Sequence, residues 1–395
     1  MCRLEEGTRM RRSTVLFGTA AGALMVTTLF TGQVATAQPA ISAEAAPVVA
    51  TIKVGARPTD MALDPAKGLL YVLDADKNQV AVVSTASNTV IDAIDVPAEA
   101  LYLKLDAVRH QLFVANGDAT LGPGAISVID TDSNELKGTT QLAGSPRMPV
   151  LDSARGILLV AQTDEDNGPG GVSMIDARTN TVLTTVKVGI SPADPILDSA
   201  RHRLYVPTSL PDVIDVLDTS SNKVIAHVKA GRAVDFLVLD AAHSRLFAVR
   251  MNGITVINTK TNKAAASIKL AVAVDNGPPA LDSARQRLYV PTAGQRGYIV
   301  VVDTRTNKVK SKVQVGYFPN GPVLDAARQL LYVAEFDEGD GSTVAVIDTR
   351  TNRLGQTIPV GKGPTLPVLA PDTGRVYVPN WVSGTVSVLD VPATQ

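Results

Sequence analysis

The segment LDSARHRLYV, residues 197–206, decides the fold, because seven variants of it occur elsewhere in the chain. Each variant begins at a leucine: Leu63, Leu105, Leu151, Leu239, Leu281, Leu324 and Leu369. Successive copies begin 42 to 46 residues apart. A period of this length indicates one supersecondary unit per repeat. Eight such units account for most of the 395 residues.

Each unit contains four short strand patterns. An apolar strand ends at Leu197-Asp198, a turn follows, and a second strand contains Leu204-Tyr205-Val206. A third strand of alternating type leads to an Asp-Thr-x-Thr-Asn turn, as at 303–307, and then to a fourth strand. Four antiparallel strands in about 42 residues are typical of one propeller blade.

The spellings LYVPT, DTRTNKV and ISVID resemble those of the YVTN family of β-propeller repeat proteins. The resemblance covers almost everything from Val48 onward. We therefore predict an all-β fold, a β-propeller of eight four-stranded blades, with seven blades and one irregular repeat as the alternative. Members of the family do different things, so the resemblance implies a fold and leaves the function open.

The last repeat lacks the pattern of a fourth strand, and a strand pattern without a blade of its own stands before the first repeat. After Asp390 only five residues remain, and they include a proline, which makes a fourth strand unfavourable. Residues 48–54, VVATIKV, have the pattern of a fourth strand with no blade before it. We predict that 48–54 completes the last blade and closes the ring, which also covers an exposed strand edge.

The N-terminal residues have the pattern of a secretory signal peptide. Arg11 and Arg12 precede an apolar run at 15–30, and Ala-Thr-Ala at 35–37 suits a cleavage site. The arginine pair also resembles a twin-arginine signal weakly. Met10 stands directly before the pair and is the alternative start of translation.

These patterns predict three regions: a signal peptide at 1–37, a linker at 38–47 and a single propeller domain at 48–395. We expect the product to be secreted, periplasmic or located at the cell surface. The only cysteine is Cys2, so cleavage would leave no disulfide and no thiolate metal site.

Charge and hydropathy limit the classes of partner. Removing 1–37 takes away four basic and two acidic residues, which changes the net charge from −1 to about −3. This argues against nucleic-acid binding, which favours a basic stripe. No second apolar run of membrane-spanning length follows, so we expect no membrane span. A protein, a glycan or a small molecule remains as the partner, and we expect a monomer.

Residues present in every unit serve the fold. We predict that the Asp of Leu-Asp, as in Asp152 and Asp198, accepts hydrogen bonds from N–H groups of the following turn. The arginines that follow, such as Arg155 and Arg201, have the pattern of solvated turn residues. The Asn that ends Asp-Thr-x-Thr-Asn, as in Asn307, suits a left-handed turn position.

A site must come from positions that break the repeat. In propellers generally, the first strand of each blade lines the central channel, and the loops leading into it form one mouth. These loops diverge here and supply candidate catalytic or ligand-binding polar groups: Asp60, Glu99, Tyr102, Asp194, Asp235, Asp275, Asn276 and Asn320. They also supply basic residues as counter-charges: Arg57, Arg147 and Arg232.

Carboxylates and amides at a channel mouth fit a hard cation such as Ca²⁺, which binds six to eight oxygens. Lactonase-like propellers, which this arrangement resembles, would use such an ion to polarise a carbonyl, with a free carboxylate as base. Ion pairs around a wet channel are the alternative interpretation. Two enlarged acidic loops provide further candidate metal ligands: Asp164, Asp166, Asp337 and Asp340. Solvated loop tips are the alternative there.

Three aromatic residues fall in loops of the last two blades: Phe318, Phe336 and the single tryptophan, Trp381. Aromatic rings at a mouth stack on sugars or anchor a peptide, and packing between neighbouring loops is the alternative.

None of the four histidines is predicted at the mouth. This argues against haem or copper oxidoreductases and against a Ser-His-Asp hydrolase. The sequence therefore favours an exported binding protein, with a lactonase, hydrolase, lyase or isomerase as the alternative.

Overall fold

The computed structural model of the protein describes residues 48–96, 100–117, 123–164, 168–274, 277–292, 296–336 and 340–390. These residues form eight four-stranded antiparallel sheets arranged as the blades of a β-propeller. One turn of 3-10 helix, Ser199–Arg201, is the only helical segment in the described ranges. No helix there is long and apolar enough to cross a membrane. The prediction of eight blades is confirmed; the predicted signal peptide and linker lie outside the described residues.

The innermost strand of each blade faces the central channel and packs against the innermost strands of neighbouring blades. These strands are β2 (Pro58–Asp64), β6 (Ala100–Asp106), β10 (Val150–Asp152), β14 (Ile196–Asp198), β18 (Val234–Asp240), β22 (Ala280–Asp282), β26 (Pro319–Asp325) and β30 (Val368–Leu369).

The second strands are almost entirely buried. They are β3 (Leu69–Asp74), β7 (Gln111–Asn116), β11 (Ile157–Gln162), β15 (Arg203–Ser209), β19 (Arg245–Arg250), β23 (Arg287–Pro291), β27 (Leu330–Glu335) and β31 (Val376–Asn380). Both faces of a blade pack on adjacent blades, so these strands contain continuous apolar runs instead of alternating patterns. Tyr71 and Val82 of the first blade, for example, share a buried cluster with Leu112 of the second.

The third strands complete the buried layer of each blade. They are β4 (Gln79–Ser84), β8 (Ala125–Asp130), β12 (Pro169–Asp176), β16 (Asp212–Asp218), β20 (Gly253–Asn258), β24 (Tyr298–Asp303), β28 (Thr343–Asp348) and β32 (Thr385–Leu389). The turn after seven of them has an Asn in the left-handed region; Asn307, with φ of 56°, is one of these and confirms the predicted role.

The outer strands face solvent along one side. They are β5 (Thr89–Asp95), β9 (Glu135–Gln141), β13 (Thr181–Ile190), β17 (Lys223–Val228), β21 (Lys263–Lys269), β25 (Lys308–Gln314), β29 (Arg353–Pro359) and β1 (Val48–Lys53). Strand β1 belongs to the eighth blade, because it pairs with β32 over Val48 to Lys53. The predicted closure of the ring by the N-terminal strand is confirmed.

The turns between first and second strands form the face opposite the mouth. The carboxylate of Asp198 is 1% exposed and accepts hydrogen bonds from the Arg201 backbone N–H at 3.2 Å and from its guanidinium at 2.8 Å. The same guanidinium donates to Ser244 Oγ of the next blade at 2.7 Å. The predicted role of the aspartates is confirmed, but the prediction of merely solvated arginines is wrong, because they connect neighbouring blades.

The histidines lie away from the mouth, as predicted. His110 and His202 adopt left-handed conformations in turns of the opposite face. His243 lies in another such turn and contacts Asp240 at 2.9 Å. His227 is on the outer strand β17.

Candidate functional site

Crossover loops, which connect each outer strand to the next innermost strand, surround one end of the channel. Isolated bridges join Pro146 to Gln162 and Pro364 to Asn380, so these loops pair with the ends of second strands. The loops that follow the second strands therefore lie at the same end. We call this end the mouth.

Buried polar side chains at the ends of second strands hold the crossover loops in place. Asp74, 1% exposed, accepts hydrogen bonds from the backbone N–H groups of Ala56 at 2.8 Å and Arg57 at 3.1 Å. Glu335 accepts one from the Gly316 N–H at 2.6 Å and one from the Thr343 hydroxyl. The two anchors differ in residue type, so these two loops are held by different side chains.

A cavity of about 850 Å³ occupies the channel and opens at the mouth. Half of its lining residues stand at two positions of the repeat, the fourth and fifth before the strand-end position that is Asp in seven blades. The fourth residues that line the cavity are Tyr102, Met148, Asp194, Phe236, Pro278 and Leu366. The fifth residues that line it are Thr59, Asp235, Gly277, Asn320 and Thr365. The repeated backbone therefore places different side chains at equivalent positions around the cavity.

Tyr102 lies among charged side chains that belong to neighbouring blades. Burial raises the pKa of its phenol, and the carboxylates of Asp194 and Asp60 raise it further, whereas the Arg147 guanidinium opposes them through its charge and a hydrogen bond. Arg147 also donates from Nε to the Pro192 carbonyl at 3.1 Å. Asp194 accepts a hydrogen bond from the Met148 N–H at 3.2 Å. Four of the predicted residues therefore meet here.

Asp60 connects the inner strands of the first two blades. Its carboxylate accepts hydrogen bonds from the N–H groups of Met61 and Leu103, each at 2.8 Å. Burial raises the pKa of Asp60 to about 6, although the two hydrogen bonds and the charge of Lys104 act in the opposite direction. The carboxyl group is therefore able to gain or lose a proton near neutral pH.

Lys104 lines the cavity and was not among the predicted residues. Burial lowers the pKa of its ammonium group, and the charge of Asp60 partly offsets this. The equivalent positions of the other blades hold only Ala, Val or Ile, as at Ala62 and Val150. Comparing the repeats at this position would have identified Lys104, because it is the one charged residue in an otherwise apolar column.

Two of the three aromatic residues predicted in the loops of the last two blades lie at the cavity, on the side formed by blades seven and eight. Phe336 and Trp381 both line it, with ring centroids 6.1 Å apart and planes inclined by 59°. The Arg57 guanidinium lies 5.8 Å from the centroid of the Trp381 ring and contacts Asp76 at 2.8 Å. The geometry brings Arg57, Phe336 and Trp381 together as one group.

Other predicted residues lie away from the cavity. The side chain of Arg232 is 91% exposed and faces Asp212 at 3.4 Å. Phe318 is half-buried in its crossover loop, where its carbonyl accepts a hydrogen bond from the Phe336 N–H at 3.2 Å. Neither residue lines the cavity.

The predicted metal ligands are only partly within the described residues. Glu99, Asp275, Asn276, Asp166 and Asp337 lie outside them. Asp164 lines a second cavity of about 170 Å³ with Gln162 and Lys187. The Asp340 side chain is 90% exposed, 4.0 Å from the Lys362 ammonium. No three acidic, histidine or cysteine side chains within the described ranges are placed to hold a metal ion, so calcium binding stays a prediction.

Comparisons with known proteins place the fold among propellers. No protein-family model matches the sequence, and neither does any curated protein. Sqt1 of Saccharomyces cerevisiae superposes with a TM-score of 0.71 at 12% identity, over 86% of this chain and 97% of its own.

Two further structures are similar at low identity. The dihydro-haem d1 dehydrogenase NirN, solved in complex with DHE, has a TM-score of 0.63 at 17% identity, over 86% of this chain and 76% of its own. The hydrazine synthase of Kuenenia stuttgartiensis has a TM-score of 0.59 at 12% identity, over 85% and 96%. Likeness at such identity concerns the fold alone. The described chain is therefore an eight-bladed β-propeller with a non-repetitive cavity at one end of its channel.

Proposed function

We propose that this chain is an exported binding protein of the YVTN-repeat type whose mouth takes up a small organic ligand. The cavity carries the proposal: its volume of about 850 Å³ lies within the usual range for ligand sites. Its rim combines apolar, aromatic and charged side chains, and those residues differ between blades in a protein whose framework otherwise repeats.

The distribution of exposed apolar side chains supports a binding role for this face. Among the described residues outside the outer strands, five large apolar side chains are well exposed on mouth loops: Met148, Leu210, Met251, Tyr317 and Val382. On the turns of the opposite face, only Val108 is comparably exposed in this part of the chain. Apolar exposure that is concentrated on one face is typical of interaction sites.

The export part of the proposal rests on the arginine pair, the apolar run and the small-residue site at 1–37. The YVTN part rests on the eight repeats. Fractionation of cells, with N-terminal sequencing of the exported protein, tests cleavage after Ala37. Recovery of uncleaved protein only in the cytoplasm would contradict export without affecting the binding proposal.

Binding is tested with 8-anilinonaphthalene-1-sulfonate, a fluorescent dye with an aromatic body and an anionic group. Trp381 is the only tryptophan, so energy transfer from it to bound dye locates the dye at the mouth. We expect one saturable site whose affinity falls about 10-fold or more in Phe336→Ala, because the aromatic ring supplies contact area. Val108→Ala is the matched control. Non-saturable binding, or equal affinity in both variants, would contradict the proposal.

An enzyme using the same cavity is the second candidate, of lactonase, hydrolase, lyase or isomerase type. The pKa of Asp60, raised to about 6 by burial, favours it, because a carboxyl group with such a pKa is suited to general acid–base catalysis. Asp60 does not itself line the cavity, but its neighbour Thr59 and its electrostatic partner Lys104 do. The test is a panel of lactones and esters assayed from pH 5 to 8. Turnover with an inflection near pH 6 that is lost in Asp60→Asn supports it; absence of turnover at every pH removes it.

A further inference from the structure

The cavity wall formed by blades seven, eight, one and two carries recognition groups of three kinds. We call this wall the blade 7–2 arc. Its members line one continuous stretch of the cavity: Asn320, Phe336, Thr365, Trp381, Thr59 and Lys104. The carboxylates of Asp194 and Asp235 belong to blades four and five, on a different part of the rim.

The first kind of group is aromatic. Phe336 and Trp381 present two inclined rings to the cavity, with centroids 6.1 Å apart. An aromatic face is a suitable surface for the C–H groups of a pyranose ring and for other compact ring systems. The rings therefore provide a site for the body of a ligand but do not select its polar groups.

The second kind consists of polar atoms without partners. Thr59 Oγ1, Asn320 Oδ1 and Thr365 Oγ1 are buried, and none has a hydrogen-bond partner among the described residues. Most buried polar atoms in folded proteins have partners, and among the unpaired ones of the described residues these three are the ones that line the cavity, where a ligand can reach them. Hydroxyl groups of a ligand would supply both donors and acceptors for these three positions after small rotations of the side chains.

The third kind is a cation. The Lys104 ammonium makes no hydrogen bond or ion pair within the described part of the chain, although the charge of Asp60 is felt there. The other charged groups of the site are engaged: Arg147 with the Pro192 carbonyl, and Arg57 with Asp76. The carboxylate of Asp194 accepts the Met148 N–H. Among the residues of the arc, Lys104 is thus the charged one, with no hydrogen bond or ion pair of its own in the described ranges; the Asp60 carboxyl group acts on it only through its charge, and the ammonium favours an anionic oxygen.

From these three observations we infer that the cavity binds an acidic monosaccharide, a pyranose that carries a carboxylate. The ring lies against Phe336 and Trp381, its hydroxyl groups pair with Thr59, Asn320 and Thr365, and its carboxylate meets Lys104. The inference rests on the proposed function, since it names the ligand class of the same cavity. A neutral sugar lacks the partner for Lys104, and an aromatic acid lacks partners for the hydroxyl and amide groups.

The experiment uses the intrinsic fluorescence of Trp381, the only tryptophan, during titration of the full chain with three probes: glucuronate, glucose and benzoate. We expect saturable fluorescence change with glucuronate, and at least about 10-fold weaker binding of glucose and benzoate. Equal or tighter binding of glucose would overturn the role of the anion. Equal or tighter binding of benzoate would overturn the saccharide assignment.

Variants separate the contributions. Lys104→Met should weaken glucuronate about 10-fold or more and leave glucose unchanged, because a charge-assisted hydrogen bond is lost. Folding should persist, since the equivalent positions hold Ala, Val or Ile. Lys187→Met, at the second cavity, is the matched control. Thr365→Val should weaken both sugars about 3-fold or more and leave benzoate unchanged.

The outcomes distinguish this inference from the proposed function. Saturable binding of the anilinonaphthalene dye without any response to glucuronate would overturn the saccharide assignment and leave the binding site in place. Absence of both responses would overturn both. A glucuronate response that is identical in the wild type and in Lys104→Met would overturn the assignment of the carboxylate to Lys104.

Discussion

The two faces of the propeller use the same residue type in opposite ways. In blade four, Asp198 and Asp194 are four residues apart on one segment. Asp198 lies on the opposite face, is 1% exposed and binds its own turn through Arg201. Asp194 lies at the mouth, lines the cavity and accepts a single hydrogen bond from a neighbouring crossover loop.

The difference shows how a repeat protein separates stability from recognition. The opposite face repeats one turn, with equivalent Asp and Arg or His pairs at Asp106, Asp240 and Asp325. The mouth repeats only its backbone and varies the side chains. Substitutions on the opposite face should therefore affect folding, whereas those at the mouth should affect binding.

Deleting 48–53 should have the largest effect, because it removes the strand that closes the ring. Strand β1 buries Ile52 and covers β32, so we expect a loss of about 5 kcal/mol or more in the free energy of unfolding. Denaturant unfolding measures it. Deletion of 38–47, which leaves β1 intact, is the control. An unchanged unfolding curve for the 48–53 deletion would show that the ring does not depend on β1.

Asp198→Ala should have the next largest effect. It leaves the Arg201 guanidinium without its buried partner and the turn without its acceptor, at a cost of about 3 kcal/mol. Asp194→Ala, the matched variant at the mouth, should cost about 1 kcal/mol, because it removes one hydrogen bond of a half-buried group. Thermal unfolding measures both. Equal costs would contradict the division of roles between the faces.

Asp60 should make stability depend on pH. Its carboxyl group has a pKa of about 6 in the folded chain and 3.8 ordinarily, so the folded state binds the extra proton between these values. Its contribution to stability therefore falls as pH rises through that window, by about 2 kcal/mol between pH 4 and 7. Denaturant unfolding of wild type and Asp60→Asn measures the difference. A difference that stays constant or grows with pH would contradict the raised pKa.

The smallest effect on stability is expected for exposed apolar residues. Met148→Ser and Val108→Ser should each change the free energy of unfolding by less than about 0.5 kcal/mol, because both side chains are exposed. Binding of the anilinonaphthalene dye should nevertheless fall about 3-fold in Met148→Ser, which lines the cavity, and not in Val108→Ser. Equal affinities would mean that Met148 does not contact the dye.

The site was predictable where a mouth position also breaks the repeat conspicuously. Tyr102, Asp194, Asn320 and Trp381 were identified because the crossover loops and second-strand loops diverge. Lys104 was missed because it lies inside an inner strand that resembles framework. Arg232 was predicted at the mouth as a counter-charge, but its exposed side chain does not line the cavity. The direction of a loop side chain depends on the local backbone and not on its place in the repeat.

The sequence alone determined the number of blades, the four-strand unit and the N-terminal closure, because these follow from a period and from patterns of apolar residues along the chain. Only the tertiary structure decided which side chains meet. Residues that are distant in the chain, such as Asn320 and Thr59, line the same cavity at the channel. The closing of the ring of blades brings these residues to one cavity, and no local sequence pattern encodes this arrangement. The same closure converts eight similar segments into one cavity with unlike walls.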